Sequence, residues 1–513
     1  MRLYFIGFML LLFPGQRCWR YFFEKTFRKV SGFQLGMIGI FCASLFLRFW
    51  GLTRFNTLVF DEIYYAKFGN NYLTQTPFFN AHPPLAQYLI AIGIWIGSYL
   101  PFGQDTVNNL TGSTLSTWSY RWFNAFTGSF IPLIAGAIAY QLTHRRSYCL
   151  ITTLLIAAEG LLLVESRYAL SSIYLIFFGL LAHLCFLLGL NKKGNQRNIF
   201  LILSGINLGA VIAVKWNGLG FLLGIYLIII TAFIVQYLTR DSIAHLPLQS
   251  PLQKITTLTP IQYLFSFFII PILTYLILWI PHLQLNPTPG LWQLHQQILT
   301  FHRNLGEGTD IHPYCSKWYS WPLMIRPIAY LFEKVEDLQK IDPSLPPINS
   351  LSPPFVYAVH GMGNPLLWWL SAAAFILSIL ILFNKIKFWL IIRWQKLTDK
   401  TQLKNQINSQ VLPTEYWLLF YLCINSLANW LPWMMVSRCT FIYHYINTLV
   451  FTILLVSWWI ERGLYSPIKF FRVTAISLVF VSIMTFIFWL PLYFGLPLSI
   501  EEWRLRIWFS SWI

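Results

Sequence analysis

The chain has 513 residues, 56% of them hydrophobic and 11% charged, with 36 lysines and arginines against 18 acids and a net charge of +18. Several apolar runs reach the ~20 residues that a helix needs to cross a hydrocarbon core of ~30 Å, which excludes an ordinary soluble domain. Seven cysteines, mostly in apolar runs and with Cys315 alone in the largest outer loop, offer neither a disulfide framework nor metal-ligand spacing.

Taken from the N-terminus, residues 3–13 resemble a signal-peptide core, but no small-residue cleavage site follows and the basic stretch 17–29 would have to be translocated. The segment reads as an uncleaved lead-in. Apolar runs then predict spans near 33–51, 122–142, 148–164, 168–190, 198–214, 217–238, 259–281, 365–384, 414–431, 440–460 and 472–495. Most must be helices, because lipid satisfies no backbone hydrogen bonds. One further run, 84–101, is apolar enough to span, and charge decides against it. If it lies in the interface, one face of the membrane collects 22 of the 36 basic residues and five acids, a balance of +17, and the other face is left with +1. Basic residues prefer the cytoplasmic side, so the topology is eleven spans with the N-terminus inside and the C-terminus outside. The positive charge is then an orientation signal, and no nucleic-acid partner is needed.

Two outer segments are long enough to build a site, 51–120 and 282–359. The first contains VFDEIYYAKFG at 59–69 and AHPPLAQYLIA at 81–91. In a chain with so few acids, the adjacent carboxylates Asp61 and Glu62 at a membrane boundary point to catalysis. Arg121, Arg167, Lys215 and Arg438 stand at the outer ends of spans, at the same depth as Asp61, where charges are costly and mark function. A carboxylate can take the proton of an attacking hydroxyl, and guanidinium and ammonium groups can stabilise a departing phosphate. The competing expectations are that Asp61 merely caps the helix after it and that the cations snorkel to headgroups. The bland expectation for His82 is that it orders the turn before Pro83 and Pro84, and His312, His360 and His444 share no ligand spacing, so no metal is expected.

Eight blocks resemble, in order, those of the protein O-mannosyltransferases, which use dolichyl- or polyprenyl-phosphate mannose: FDEIYYAKF, HPPLAQYLIA, YRWFNAFTGS, ESRYALSSIYLIFF, VKWNGLGFLL, the 301–330 stretch through HPYCSKWYSWPLMIRPIAY, HGMGNPLLWW and SRCTFIYHYI. The resemblance is nearest to the bacterial branch. It implies an all-α polytopic GT-C fold whose first outer loop carries the catalytic acid and juxtamembrane helices. On that resemblance Asp61 is the general base for a Ser or Thr hydroxyl and Glu62 its neighbour in acceptor binding. Arg121, Arg167, Lys215 and Arg438 face the donor phosphate, and Tyr64, His82, His312 and His444 contact acceptor or sugar. It further implies inversion at the anomeric carbon, no cofactor or metal, a polyprenyl-phosphate-mannose donor, secreted or membrane protein acceptors, and a prokaryotic plasma membrane, with a dimer left open. Two departures from eukaryotic members stand out: Tyr64 replaces a histidine, and no MIR domains lie between the membrane halves.

The expected division is a catalytic membrane region at 1–281, an outer loop at 282–360 and a four-helix region at 361–513. Two alternatives remain at this level. Another GT-C enzyme would move a lipid-linked sugar to a lipid or cell-wall glycan. A transporter would line its path with charges in mid-span, whereas nearly all charges here sit at span ends, Glu159 being the main exception.

Overall fold

The computed structural model describes residues 31–243, 251–306, 308–340, 342–347, 351–398 and 414–513. The lead-in at 3–13 and the basic residues between 399 and 410 lie outside the described residues. Helix α1 (Gly32–Phe49) starts on a capping box, with Ser31 and Gln34 answering each other's backbone amides. In the first outer segment, α2 (Glu62–Leu73) and α3 (Leu85–Ser98) are followed by a hairpin of β1 (Val107–Asn108) and β2 (Leu115–Ser116). With 14 residues, α3 is about 21 Å long, short of the hydrocarbon thickness. It lies close against the next helix, where Trp122 Nε1 donates to the Gly93 carbonyl.

Then come α4 (Thr117–Thr143), the broken pair α5 (Arg146–Ala157) and α6 (Gly160–Arg167), α7 (Ser172–Asn191), α8 (Gly194–Val214), α9 (Leu219–Ile243) and α10 (Pro260–Leu285). The α5–α6 pair bends by 58° at Ala158–Glu159. Glu159 is buried at the break, where its carboxylate accepts from the Leu162 amide at 2.7 Å and from the Asn364 amide at 3.3 Å. This mid-span acid therefore caps an interrupted helix, which removes the one feature that favoured a transport path.

The second outer segment opens with the amphipathic α11 (Leu291–Asn304), whose buried residues are Leu294 and Ile298. It then forms a sheet in the order β3 (Ile328–Val335), β4 (Phe355–Gly361), β5 (Pro497–Ser499), antiparallel throughout. This small sheet sits on the helical fold: β4 is buried on both faces, and β5 pairs with it to bring the C-terminal segment back over the second outer segment. The rest is α12 (Pro365–Thr398), α13 (Thr414–Trp430), α14 (Ile446–Leu464), α15 (Lys469–Phe494) and α16 (Ile500–Arg506). Ten helices among the described residues can each cross a membrane, eleven with the broken pair counted as one span. The α14 span is almost wholly enclosed by protein, whereas α1, α10 and α15 expose most of their surface, as lipid-facing helices do. The chain is a multi-pass integral membrane protein with an all-α core.

Candidate active site

Asp61 stands at the start of α2, and its main-chain carbonyl accepts the first helical amides, from Tyr64 at 3.0 Å and Tyr65 at 3.1 Å. Its side chain makes no capping bond. Capping therefore does not explain this carboxylate. The residue before it, Phe60, has φ of +55°, a conformation that costs a bulky residue about 1–3 kcal/mol and that clusters at functional sites. Burial raises the Asp61 carboxyl above the ordinary aspartate range, and the Lys215 ammonium opposes that rise.

Glu62 is fully buried. Its Oε1 accepts from Arg121 Nε at 2.9 Å and the Ala169 amide at 2.8 Å, while Oε2 accepts from Arg121 Nη2 at 2.8 Å and the Val59 amide at 2.8 Å. Arg121 spends its other donors on carbonyls of the first outer segment: Nη1 on Leu52 and Phe55, Nη2 on Thr57. With Nε and both terminal nitrogens committed, Arg121 presents no face to a phosphate. Arg167 is likewise diverted. Its Nη1 donates to the carbonyls of Leu47, Arg48 and Trp50, its Nη2 to that of Gly51, and its guanidinium lies 4.4 Å from the Phe494 ring centre. It thus closes the C-terminal end of α1, where carbonyls lack helical partners and a cation is favoured. Both residues organise the loop that carries Asp61, which corrects their expected place beside the donor phosphate. Glu62 is corrected in the same way, since each of its oxygens already takes two donors.

The other two cations line a cavity of about 720 Å³. Its polar wall includes His82, Lys215, His302, Arg303, Arg438 and His444, and its apolar wall includes Leu219, Leu222, Leu223, Trp433 and Val436. Lys215 sits in extended backbone between α8 and the turn before α9, where the helical ladder is interrupted. Its Nζ lies 5.6 Å from the Tyr65 ring centre and 5.5 Å from that of Tyr443. Asp61 does not line the cavity, but Lys215 is within electrostatic reach of both. His82 is pushed well below the usual histidine range by burial, then by Lys215, His302, Arg438 and His444. Burial likewise brings His302 down to about 4, helped by Arg438 and, less, by Lys215. Both imidazoles are therefore neutral near pH 7, and the fixed charge comes from Lys215, Arg303 and Arg438. Such a wall suits an anion carrying an apolar tail.

Arg438 is held in place by a bond that the cysteine spacing concealed. Cys315 and Cys439 form a disulfide across 124 residues, which corrects the expectation that no pairing exists. Around it, Ser316 N donates to Thr440 O, Thr440 Oγ1 donates to Ser316 O, and Cys439 N donates to Gly306 O. Of the remaining expected contacts, His82 and His444 reach the cavity and Tyr64 and His312 do not. Tyr64 is exposed on α2, and His312 Nδ1 accepts from the Tyr314 amide while its ring meets the edge of Phe441 at 5.0 Å. His302 and Arg303 were missed, although two adjacent basic residues ending an amphipathic helix were a readable signal. Among the described residues no group of three or more His, Cys, Asp or Glu side chains could hold a metal ion.

The family model "Dolichyl-phosphate-mannose-protein mannosyltransferase" matches residues 38–286, and "C-terminal four TMM region of protein-O-mannosyltransferase" matches 288–512. Among curated relatives, polyprenol-phosphate-mannose–protein mannosyltransferase of Mycolicibacterium smegmatis is 24% identical over 528 aligned positions, covering 91% of this chain and 90% of the relative. Dolichyl-phosphate-mannose–protein mannosyltransferase 6 of Saccharomyces cerevisiae is 26% identical over 200 positions, covering 38% and 26%. In three dimensions the chain is similar to the S. cerevisiae protein O-mannosyltransferase Pmt1–Pmt2 complex bound to the sugar donor. The TM-score is 0.70 at 14% identity, with 94% of this chain and 93% of the other covered, a likeness of fold.

Proposed function

We propose that this chain, which belongs to the dolichyl-phosphate-mannose-protein mannosyltransferase family, uses Asp61 as general base and the Lys215–Arg438 cavity as donor-phosphate site. It is a mannosyltransferase that moves mannose from a polyprenyl-type phosphate to Ser or Thr hydroxyls of proteins. In a single displacement the acceptor oxygen attacks the anomeric carbon and its proton passes to the Asp61 carboxylate. The bond from that carbon to the phosphate oxygen breaks, and polyprenyl phosphate leaves with one more negative charge. The configuration inverts. Lys215 and Arg438 meet that charge, neutral His82 supplies a hydrogen bond, and the apolar wall takes the first isoprene units.

The observation that carries this reading is Lys215, which lines the cavity and whose ammonium opposes the rise of the Asp61 carboxyl. A proton acceptor and an anion site are thereby joined by one side chain. Transfer to a lipid or cell-wall glycan is not favoured, because the family and the relatives covering most of the chain are protein mannosyltransferases. The active site belongs on the extracytoplasmic face of a prokaryotic plasma membrane, with the N-terminus inside. The +17 charge bias supports this, and so does the disulfide beside Arg438, since such bonds persist where the environment oxidises.

The test is to incubate membranes containing the protein with radiolabelled polyprenyl-phosphate mannose and a Ser/Thr-rich peptide. Label should enter the peptide as alkali-labile mannose. Label found only in lipid or glycan would overturn the reading.

A further inference from the structure

Phe60 holds its left-handed backbone between two rings that come from distant parts of the chain. One face stacks on Tyr330 of β3, with ring centres 4.2 Å apart and planes 5° from parallel. Its edge meets Tyr443 at 6.0 Å. Tyr330 is itself fixed: its hydroxyl donates a short hydrogen bond to Glu165 Oε1 on α6, and both residues are buried. Gly361 of β4 lies directly under the Tyr330 ring, where a side-chain carbon would approach its atoms to 2.6 Å. The ring thus has a hydrogen bond at its tip and a backbone floor on one side. A phenylalanine one residue before Asp61 would not by itself keep a positive φ, since relaxing to the β region would swing the next residue away.

The geometry points to Tyr330, oriented by Glu165, as the positioning residue that clamps Phe60 and so sets the Asp61 carboxylate where the acceptor hydroxyl arrives. Stacked rings tolerate sliding but resist tilting, so a 5° interplanar angle fixes the direction in which the Phe60 Cα–Cβ bond leaves the chain. That direction sets the start of α2. The clamp also couples the two outer segments, with Tyr330 in the second and Asp61 in the first. Glu165 is within electrostatic reach of Lys215 and Asp61, and its contribution through Tyr330 is separable from its charge, because an amide at the same position keeps a carbonyl acceptor for the hydroxyl.

This inference rests on Asp61 being the base, and its experiment has one arm that needs no substrate. In Tyr330→Leu the stack and the hydroxyl are lost. Turnover should fall on the order of 10–100-fold, as for a misplaced catalytic group, while the dissociation constant for the lipid donor stays within threefold. Glu165→Gln should keep turnover within about threefold. Amide hydrogen exchange across residues 59–65, measured without donor or acceptor, should accelerate at least tenfold in Tyr330→Leu and remain near wild type in Glu165→Gln. The clamp is refuted if Tyr330→Leu leaves turnover or exchange unchanged, if donor binding falls in step with turnover, or if Glu165→Gln is as damaging as Tyr330→Leu. A wild-type protein that fails to mannosylate peptide while the exchange response holds would overturn the proposed function and leave the clamp standing.

Discussion

Glu62 and Arg121 form a two-pronged ion pair, Nε to Oε1 at 2.9 Å and Nη2 to Oε2 at 2.8 Å, with both side chains wholly removed from solvent. Burying two charges is costly, and the five additional backbone amides and carbonyls that meet the pair make the arrangement tolerable. The pair therefore acts as a fastener for residues 52–62. It determines where Asp61 can be.

Removing one partner leaves the other charge buried alone, at a cost of about 3–5 kcal/mol. Arg121→Met and Glu62→Leu should each lower the unfolding temperature of the purified protein. The double variant should be less destabilised than the two single losses summed. Any remaining activity should show an unchanged Michaelis constant for the lipid donor, and a raised one would return Arg121 to the phosphate side.

Lys215 and Arg438 should behave differently, because they face the cavity instead of the loop. Substituting either by alanine removes one charge-assisted contact, about 1.5–3 kcal/mol, and should weaken donor binding on the order of 10–100-fold with little change in unfolding temperature. Arg167→Ala, which uncaps α1, should do the reverse. Equilibrium binding of polyprenyl phosphate together with thermal unfolding separates the two classes.

Much of the architecture was legible in the chain because a bilayer demands runs of about 20 apolar residues and sorts positive loops to one side. The eleven expected spans have counterparts in the ten helices and the broken pair, and the run at 84–101 is the short α3. What stayed hidden was tertiary. FVYAVHG of β4 is apolar on both faces and abuts the next span, so no alternation betrays a strand. Arg121 and Lys215 look alike as cations at span ends. What separates them is whether they meet carbonyls 64–69 residues away or an open cavity, and local sequence does not encode that. Cys439 lies 124 residues from Cys315, and Tyr330 lies 165 from Glu165.

The disulfide makes a redox prediction. Because Cys439 follows Arg438 directly, opening the bond should loosen the loop that carries the guanidinium while the two-way pairing of Ser316 with Thr440 persists. Cys315→Ala and Cys439→Ala should each raise the donor Michaelis constant severalfold, the double variant should add nothing further, and a reductant should affect wild type alone. Additive losses in the double variant would show that the two thiols act separately.

Topology can be read by thiol labelling. Gln104 is exposed in the turn before β1, and Lys387 is exposed near the far end of the α12 span. A membrane-impermeant reagent added to intact cells should modify Gln104→Cys and spare Lys387→Cys, with Cys42 replaced beforehand because it is exposed. Labelling of the second alone would mean that α3 crosses the membrane.

Asp61→Asn keeps the size of the side chain and its ability to cap while removing the basic carboxylate. Since the Asp61 side chain makes no capping bond, the variant should insert, fold and bind donor as wild type does, and its turnover should fall by ~10²–10⁴. The pH dependence follows from the environment of the group. A base works only when deprotonated, and burial raises the Asp61 carboxyl, so turnover should decline on acidification at a pH above the ordinary aspartate range. Lys215 opposes that rise, so Lys215→Gln should move the acidic limb of turnover to still higher pH in addition to weakening donor binding. An acidic limb that moves to lower pH in Lys215→Gln, or a fully active and well-expressed Asp61→Asn, would remove Asp61 from the role of base.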